Sequence, residues 1–411
     1  MSPAARSIAA TFVTLGLAYG VWYAYSVFLV ALLREFGWSR TLLAGAFSVF
    51  TLVHGLVGPL AGSIADRLGP RRLTLAGAVM LAAGLLLDGA VTRPWHLYLA
   101  FGVLTALGVA CAGWVPAVVL VQRWFPHRIG TALGLTSAGI GAGIFVVAPA
   151  CQWMVEVAGW RWAFRAVGLG VAAWMIPATL WLVREPAAAA GAPGVPQDGR
   201  VPAAAQAGDI TPRHALGTRA FWALAVAMLS ASFVNQMLLV HQVAYLVDHG
   251  IDALMAASVV GVVGLASIAG KAGGGWFSDS FGREETYTLG MALVMLSMAA
   301  LGLVAVAPGP LPAYVYGALV GVGYSITAPL MPALINDVFR GRHFGAIFGM
   351  LHAANAFGGG LGPWVAGRVF DATGSYAPAF AAAAGSALLS TAAIWTARRG
   401  RRRRATPGRP A

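Results

Sequence analysis

The chain has 411 residues, of which 59% are hydrophobic and only 10% charged, with a mean hydropathy of +0.75. So little polar surface excludes a soluble globular protein, and apolar runs of roughly 20 residues, each long enough to cross a bilayer as a helix, recur from end to end. The formal net charge of +13 does not point to nucleic acid, because it lies in short loops and in a C-terminal run beside the last apolar segment.

The first apolar run spans residues 8–33. It continues past Tyr25 without a small-residue cleavage site, so it reads as a membrane span and not as a signal peptide. Further spans are predicted at 41–64, 72–92, 95–122, 129–155 and 160–183. Residues 186–217 are rich in Ala, Pro and Gly without apolar periodicity, the composition of a flexible linker. A second set of spans follows at 218–247, 253–277, 286–307, 311–336, 343–367 and 377–397. The expected organisation is an N-terminal six-helix bundle over 1–185, a cytoplasmic linker over 186–217, a C-terminal six-helix bundle over 218–397 and a polybasic tail over 398–411. Loops on the side of the N terminus carry almost all of the positive excess, and those on the other side balance. The positive-inside bias therefore places both termini in the cytoplasm, with the chain in a bacterial inner membrane. The tail "ARRGRRRRATPGRP" holds seven arginines suited to anionic lipid headgroups. Cys111 and Cys151 lie in apolar segments at no metal or redox spacing and read as small core residues.

The two halves resemble each other. "GSIADRLGPRR" (Gly62 to Arg72) follows the second span and "GWFSDSFGREE" (Gly275 to Glu285) follows the eighth, so Gly62, Asp66 and Gly69 match Gly275, Asp279 and Gly282. "RIGTALGL" (Arg128 to Leu135) follows the fourth span and "HFGAIFGM" (His343 to Met350) the tenth, at nearly the same offset. A duplicated six-span bundle with a site between the copies is a secondary-transporter plan.

"GSIADRLGPRR" resembles the loop signature of the major facilitator superfamily. The resemblance implies that Asp66, with Arg67, Arg71 and Arg72, latches the inner gate near the cytoplasmic end of the eleventh span. Asp279, with Gly282 and Arg283, would do the same against the fifth span, where Arg128 begins the helix. Carboxylates are stabilised by helix N-termini and by arginine. The second copy departs from the pattern at Ser280, Glu284 and Glu285. Solvated loop charges that only set topology are the alternative. "YGVWYAYSVFLVALLREFGWSR", "QRWFPHRIGTALGLTSAGIGAG", "VHQVAYLVDHGI" and "GPWVAGRVFDATGSYAPAF" are similar to segments of the monocarboxylate porter and oxalate/formate antiporter families. These imply a small organic anion as cargo.

Lys271, in "IAGKAGGGWFSD", is the only lysine among 27 basic residues and stands within an apolar helix. A charge at membrane depth costs roughly 2.5–3.5 kcal/mol on insertion scales, so it normally faces a cavity or a counter-ion. Snorkelling to the interface is the alternative. Monocarboxylate porters carry a carboxylate-binding arginine at this register, and often an aspartate one turn earlier, where this chain has Ser267. Lysine offers a point charge and not a planar fork. Tyr19 and Tyr23 share a helix face, and Tyr25 matches a position that is basic in some relatives. Asn235, Tyr324, His352 and Asn355 complete the candidate substrate contacts, each equally suited to an interhelical hydrogen bond. His54 and His352 are the candidate proton carriers, since histidine titrates near pH 7.

The expected fold is all-α: twelve transmembrane helices in two pseudo-symmetric six-helix bundles. The expected function is secondary active transport of a small organic anion, linked to protons, by a monomer. Exchange of anions, efflux of a neutral hydrophobic compound and a non-transporting sensor are the alternatives. No nucleophile, metal cluster or acid pair lies at membrane depth, so no enzyme activity, metal or cofactor is expected.

Overall fold

A backbone that crosses lipid must satisfy its own hydrogen bonds, and this chain does so with helices. The structure, a computed structural model, describes residues 2–125, 129–185, 210–339 and 344–405. Among the described residues there is no strand. Twelve long helical segments run in chain order: α1 (Pro3–Phe36), α2 (Arg40–Leu68), α3 (Pro70–Asp88), α4 (Pro94–Trp124), α5 (Ile129–Ala158) and α6 (Trp160–Leu182), then α7 (Arg219–Asp248), α8 (Ala253–Phe281), α9 (Arg283–Val306), α10 (Pro310–Val338), α11 (Phe344–Thr373) and α12 (Ala377–Ala405). This bears out the all-α fold in two six-helix halves. Most of the expected linker lies outside the described residues, but its end holds a short helix, Pro212–Leu216, capped by the Thr211 hydroxyl.

Local chemistry sets the ends. Ser2, Ser39, Thr218 and Asp252 cap α1, α2, α7 and α8 by accepting hydrogen bonds from backbone N–H groups of the first turn. Pro3, Pro70, Pro94 and Pro310 occupy first-turn positions where no N–H is needed. Several boundaries differ from the hydropathy reading. The α1 helix begins at Pro3, α3 stops at Asp88 and turns at Gly89, α9 begins at Arg283, α11 continues to Thr373, and α12 runs through the arginines to Ala405. The fourth span is also not one regular helix. It is π-helical over Tyr98–Thr105 and breaks at Gly113 between Ala112 and Trp114.

Eleven of the twelve are long and apolar enough to cross a membrane; α11 falls short on composition, being rich in glycine and interrupted by His352 and Asn355.

Missing side chains hold each half together. The position a Cβ would take on Gly143 of α5 lies 1.9 Å from the Gly16 carbonyl oxygen of α1. Its counterpart in the second half, Gly358 of α11, stands 2.0 Å from the Leu229 carbonyl oxygen of α7. The repeat is therefore structural, and both halves close the same helix pair by backbone contact. Gly143→Leu is expected to force α1 and α5 apart, costing about 1–3 kcal/mol or more as an overpacked contact, and to lower the thermal unfolding temperature in detergent. Gly134→Leu on the same helix, where no atom lies within 4 Å, is expected to leave it unchanged.

Candidate functional site

Two seams join the halves. Along the first, between α2 and α11, Gly367 packs against the Arg40 carbonyl, the Ser48 hydroxyl donates to the Gly360 carbonyl at 2.5 Å, and Gly55 meets Ala356. Along the second, between α5 and α8, Gly261 packs on Phe145, Gly264 on the Gly141 carbonyl, and Gly141 on Ile268. Gly55 with Ala356 and Ile268 with Gly141 are matching contacts of the repeat. Closer to the chain termini the contacts end. Nothing lies within 4 Å of a Cβ on Gly58, one turn past Gly55 on α2, or on Gly134, two turns before Gly141 on α5. The halves thus touch in the half of the molecule away from the termini and part toward the termini, leaving a cleft that opens on the terminal face.

Lys271 stands at the apex of that cleft. It is the repeat counterpart of Gly58 and lies one turn past Ser267, where α5 and α8 separate. Its side chain is half-buried and makes no salt bridge or hydrogen bond among the described residues. Gly270 and Gly274 on either side press against Val322 and Ile326 of α10, which fixes the helix face that carries it. Ser267 is fully buried and its hydroxyl donates to the Gly264 carbonyl of its own helix at 2.7 Å. It offers nothing to Lys271.

The first half contributes an aromatic wall. Tyr19 stacks on Trp22 at 5.7 Å between ring centroids, Tyr23 lies 6.3 Å from Trp22, and His54 of α2 stands edge-on to Trp22 at 4.7 Å. Tyr23 reaches Tyr324 of α10 at 6.4 Å, across the two halves. Tyr19 also lies over the α4 break, with ring atoms 3.3 Å from a Cβ position on Gly113. His54 is within electrostatic reach of His352, which stacks on Phe348. Asn235 is half-buried and its Oδ1 has no partner; Asn355 is half-buried.

Tyr25 does not belong to this group. It is fully buried, its hydroxyl donates to the Leu43 carbonyl at 2.6 Å, and its ring stacks on Phe101 at 4.2 Å. Two residues from Tyr23, it points to the opposite side of α1, into the core of its own half. Trp22 is the residue missed from sequence. Its Nε1 is buried without a partner, and it is the repeat counterpart of Asn235.

The loop-signature residues brace their own halves. Gly69 turns at φ 89°, where a side chain would meet Glu185. Arg71 donates to the Thr179 and Leu180 carbonyls at the end of α6, and Glu185 pairs with Arg123 of α4 at 2.6 Å. In the second copy Gly282 turns at φ 106°, Arg283 pairs with Asp337 of α10 at 2.7 Å, and Glu285 with Arg398 of α12 at 2.6 Å. Gly62 makes only an ordinary contact with Val115, and Arg67 and Arg72 are exposed. Arg128 and the side chains of Asp66 and Asp279 lie outside the described residues.

Sequence reasoning also passed over a polar cluster on the face opposite the termini. Arg40 pairs there with Asp248 at 2.7 Å and with the Tyr376 hydroxyl at 2.6 Å. Its members come from elements far apart in sequence, and no local motif marks them.

Comparison with known proteins gives a consistent picture. The model of the Major Facilitator Superfamily matches residues 11–331 and 274–411. Monocarboxylate transporter 13 of Rattus norvegicus is 27% identical over 91% of this chain and 85% of the relative. Monocarboxylate transporter 11 of Homo sapiens is 27% identical over 94% of this chain and 81% of its own. Among solved structures, a bacterial homolog of the human lysosomal transporter Spinster, inward-facing and unoccupied, superposes with a TM-score of 0.75 at 16% identity, covering 100% of both chains. Nucleoside transporter NupG superposes with a TM-score of 0.76 at 13% identity, covering 96% of this chain and 100% of its own.

The geometry of the cleft yields a direct test. In a background free of Cys111 and Cys151, Gly58→Cys is expected to react quickly with a thiol reagent supplied on the terminal face. Ser48→Cys, held between α2 and α11, is expected to react far more slowly from that face. Equal rates would show that the seam is not closed where the structure closes it.

Proposed function

The chain belongs to the major facilitator superfamily and is a membrane transporter, and from that premise we propose that it carries a small, monocarboxylate-like organic anion by alternating access. The observation that carries this reading is Lys271. A cation without a partner among the described residues, at the apex of a cleft, is stabilised by an anion that enters the cleft. The names of the relatives, monocarboxylate transporters over most of their length, support the same cargo class. The wall of Tyr19, Trp22, Tyr23 and Tyr324 would take the organic part of the substrate. Asn235 Oδ1 and Trp22 Nε1, both without partners, would give it direction.

We place both termini in the cytoplasm, so the cleft described here faces inward and the opposite face is external. The arginine tail then lies on anionic lipid. One chain encloses the whole cleft, so the transport unit is the monomer.

Coupling follows from what stands near the cation. Ser267 is fixed to its own helix and carries no proton in exchange for substrate. His54 and His352 are the titratable side chains of the cleft wall, and histidine is the side chain that exchanges a proton near neutral pH. On this reading one of them carries the proton and transport is proton-linked. Anion exchange is the second reading, favoured by the same unpaired Lys271: a cavity that closes over an isolated cation pays for it, so return of the empty carrier would require a second anion.

Lys271→Ala is expected to abolish uptake of labelled carboxylates into proteoliposomes while folding and insertion stay normal, and Lys271→Arg to retain part of it. Wild-type uptake in the alanine variant would remove Lys271 from the site. Coupling is decided by comparing empty liposomes under an inward proton gradient with liposomes preloaded with the same anion. Gradient-driven uptake that is lost in His54→Ala or His352→Ala identifies the carrier. Uptake that needs preloading and ignores the gradient identifies an exchanger.

A further inference from the structure

On the face opposite the termini, the start of α2 is tied to the second half by a chain of hydrogen bonds. Asp371, near the end of α11, accepts from the backbone N–H of Arg40 at 3.1 Å, and from the N–H and hydroxyl of Thr41 at 2.8 and 2.5 Å. It caps α2 from across the seam. The Arg40 guanidinium packs 3.9 Å over the Phe370 ring and donates through Nη2 to Asp248 at the end of α7 and through Nη1 to the Tyr376 hydroxyl. Tyr376 lies 2.9 Å from Nδ1 of His241, and Nε2 of His241 lies 2.9 Å from the Pro363 carbonyl oxygen. His241 and Tyr376 are 2% and 3% exposed, so bulk solvent does not reach them.

The donors and acceptors fix the proton. A carbonyl only accepts, so Nε2 carries a hydrogen. A guanidinium only donates, so the Tyr376 oxygen accepts from Arg40 and its own hydrogen goes to Nδ1. The chain is complete only with His241 neutral. A proton on Nδ1 would aim a second donor at the Tyr376 oxygen and leave the tyrosine hydrogen without an acceptor. It would also put a second cation two hydrogen bonds, of 2.6 and 2.9 Å, from Nη1 of Arg40. The other groups around the ring are already engaged. Asp371 of α11 holds the α2 terminus, Asp248 of α7 holds Arg40, Tyr245 of α7 donates to the Leu301 carbonyl, and Tyr316 of α10 donates to Gln242. Arg34 of α1 stands further out, lining with Arg40 and Asp248 a pocket of about 190 Å³.

The other seam has no such tie. Glu156 of α5, the repeat counterpart of Asp371, is exposed and accepts from Gln152 of its own helix at 2.9 Å, and α8 is capped by its own Asp252.

We propose that Arg40, Tyr376 and His241 form the latch of the outer gate, and that a proton taken up by His241 releases it. This rests on the alternating-access reading above and adds a third histidine, remote from the substrate, to the two at the cleft.

The test reads the gate without substrate, with the internal pH set equal to the external one by a protonophore. In right-side-out vesicles lacking Cys111 and Cys151, Ser48→Cys reports opening of the α2–α11 seam to an impermeant thiol reagent added outside. Its rate is divided by that of Leu311→Cys, a position 75% exposed, to remove the pH dependence of the thiol itself. Lowering the external pH from about 7.5 to about 5.5, across the histidine range, is expected to raise this ratio several-fold. His241→Gln, neutral throughout, is expected to keep it low and flat. Tyr376→Phe, which cuts the chain, is expected to raise it at both pH values. A flat ratio in the parent protein, or an undiminished rise in His241→Gln, overturns the latch. If His241→Gln fails to fold, Tyr376→Phe decides, and a profile identical to the parent overturns it. A His241-dependent ratio in a carrier that proves to exchange anions without protons retires the proton-linked reading and leaves the latch standing.

Discussion

Gly143 and Gly358 lack a Cβ where their helices cross, and the rest of the architecture is arranged around those two absences. Lipid gives helices no hydrophobic reason to associate, so contact between them depends on close packing and on small residues. Here the α1–α5 and α7–α11 pairs meet backbone to backbone, with carbonyl oxygens at 1.9 and 2.0 Å from the vacant Cβ positions. The contacts across the seams are looser. A Cβ on Gly55 or Gly141 would lie 2.4 or 2.5 Å from the side chains of Ala356 and Ile268, and one on Gly264 would lie 2.6 Å from the Gly141 carbonyl oxygen. The halves pack on one another less closely than the paired helices do within each half, which leaves two bodies and a boundary between them.

On this duplicated frame, chemistry is found where the copies disagree. Gly58 in one half leaves a space, and its counterpart in the other half, Lys271, carries a charge. Trp22 offers a buried donor where Asn235 offers a buried acceptor. Asp371 crosses a seam to cap a helix, whereas Glu156 is turned to solvent. Where the copies agree, as at Gly69 and Gly282 with their positive φ values, the residues shape the chain and hold each half to itself.

Much of this was legible in the sequence. Apolar run length gave the spans, and the paired loops gave the duplication. Lys271 was conspicuous because a charge in an apolar helix has so few structural uses. The misreadings have local causes. Tyr25 was grouped with the site by resemblance, although two residues from Tyr23 on a helix means the opposite face. The break at Gly113 is silent in hydropathy, since a glycine in an apolar run lowers the average only slightly and the deformation depends on Tyr19 occupying the gap. Arg40, His241, Asp248, Asp371 and Tyr376 could not be gathered at all, because three helices and a turn bring them together and no spacing rule connects them. Of the loop residues, Arg71 reaches carbonyls and Arg283 an acid within their own halves.

The weak hydropathy of α11 bears on how the protein is made. A segment leaving the ribosome partitions into lipid according to its own side chains, and α11 is the one long helix that falls short by that measure. Its glycines and its His352 and Asn355 suit a wall of the cleft but leave it poorly anchored by itself. Its residence in the bilayer must be secured by neighbours: α7, against which Gly358 and Gly362 are pressed, and α12, whose arginine-rich end resists translocation. Substitutions that loosen α7 from α11 would therefore weaken the hold of the second half on the bilayer as well as its packing.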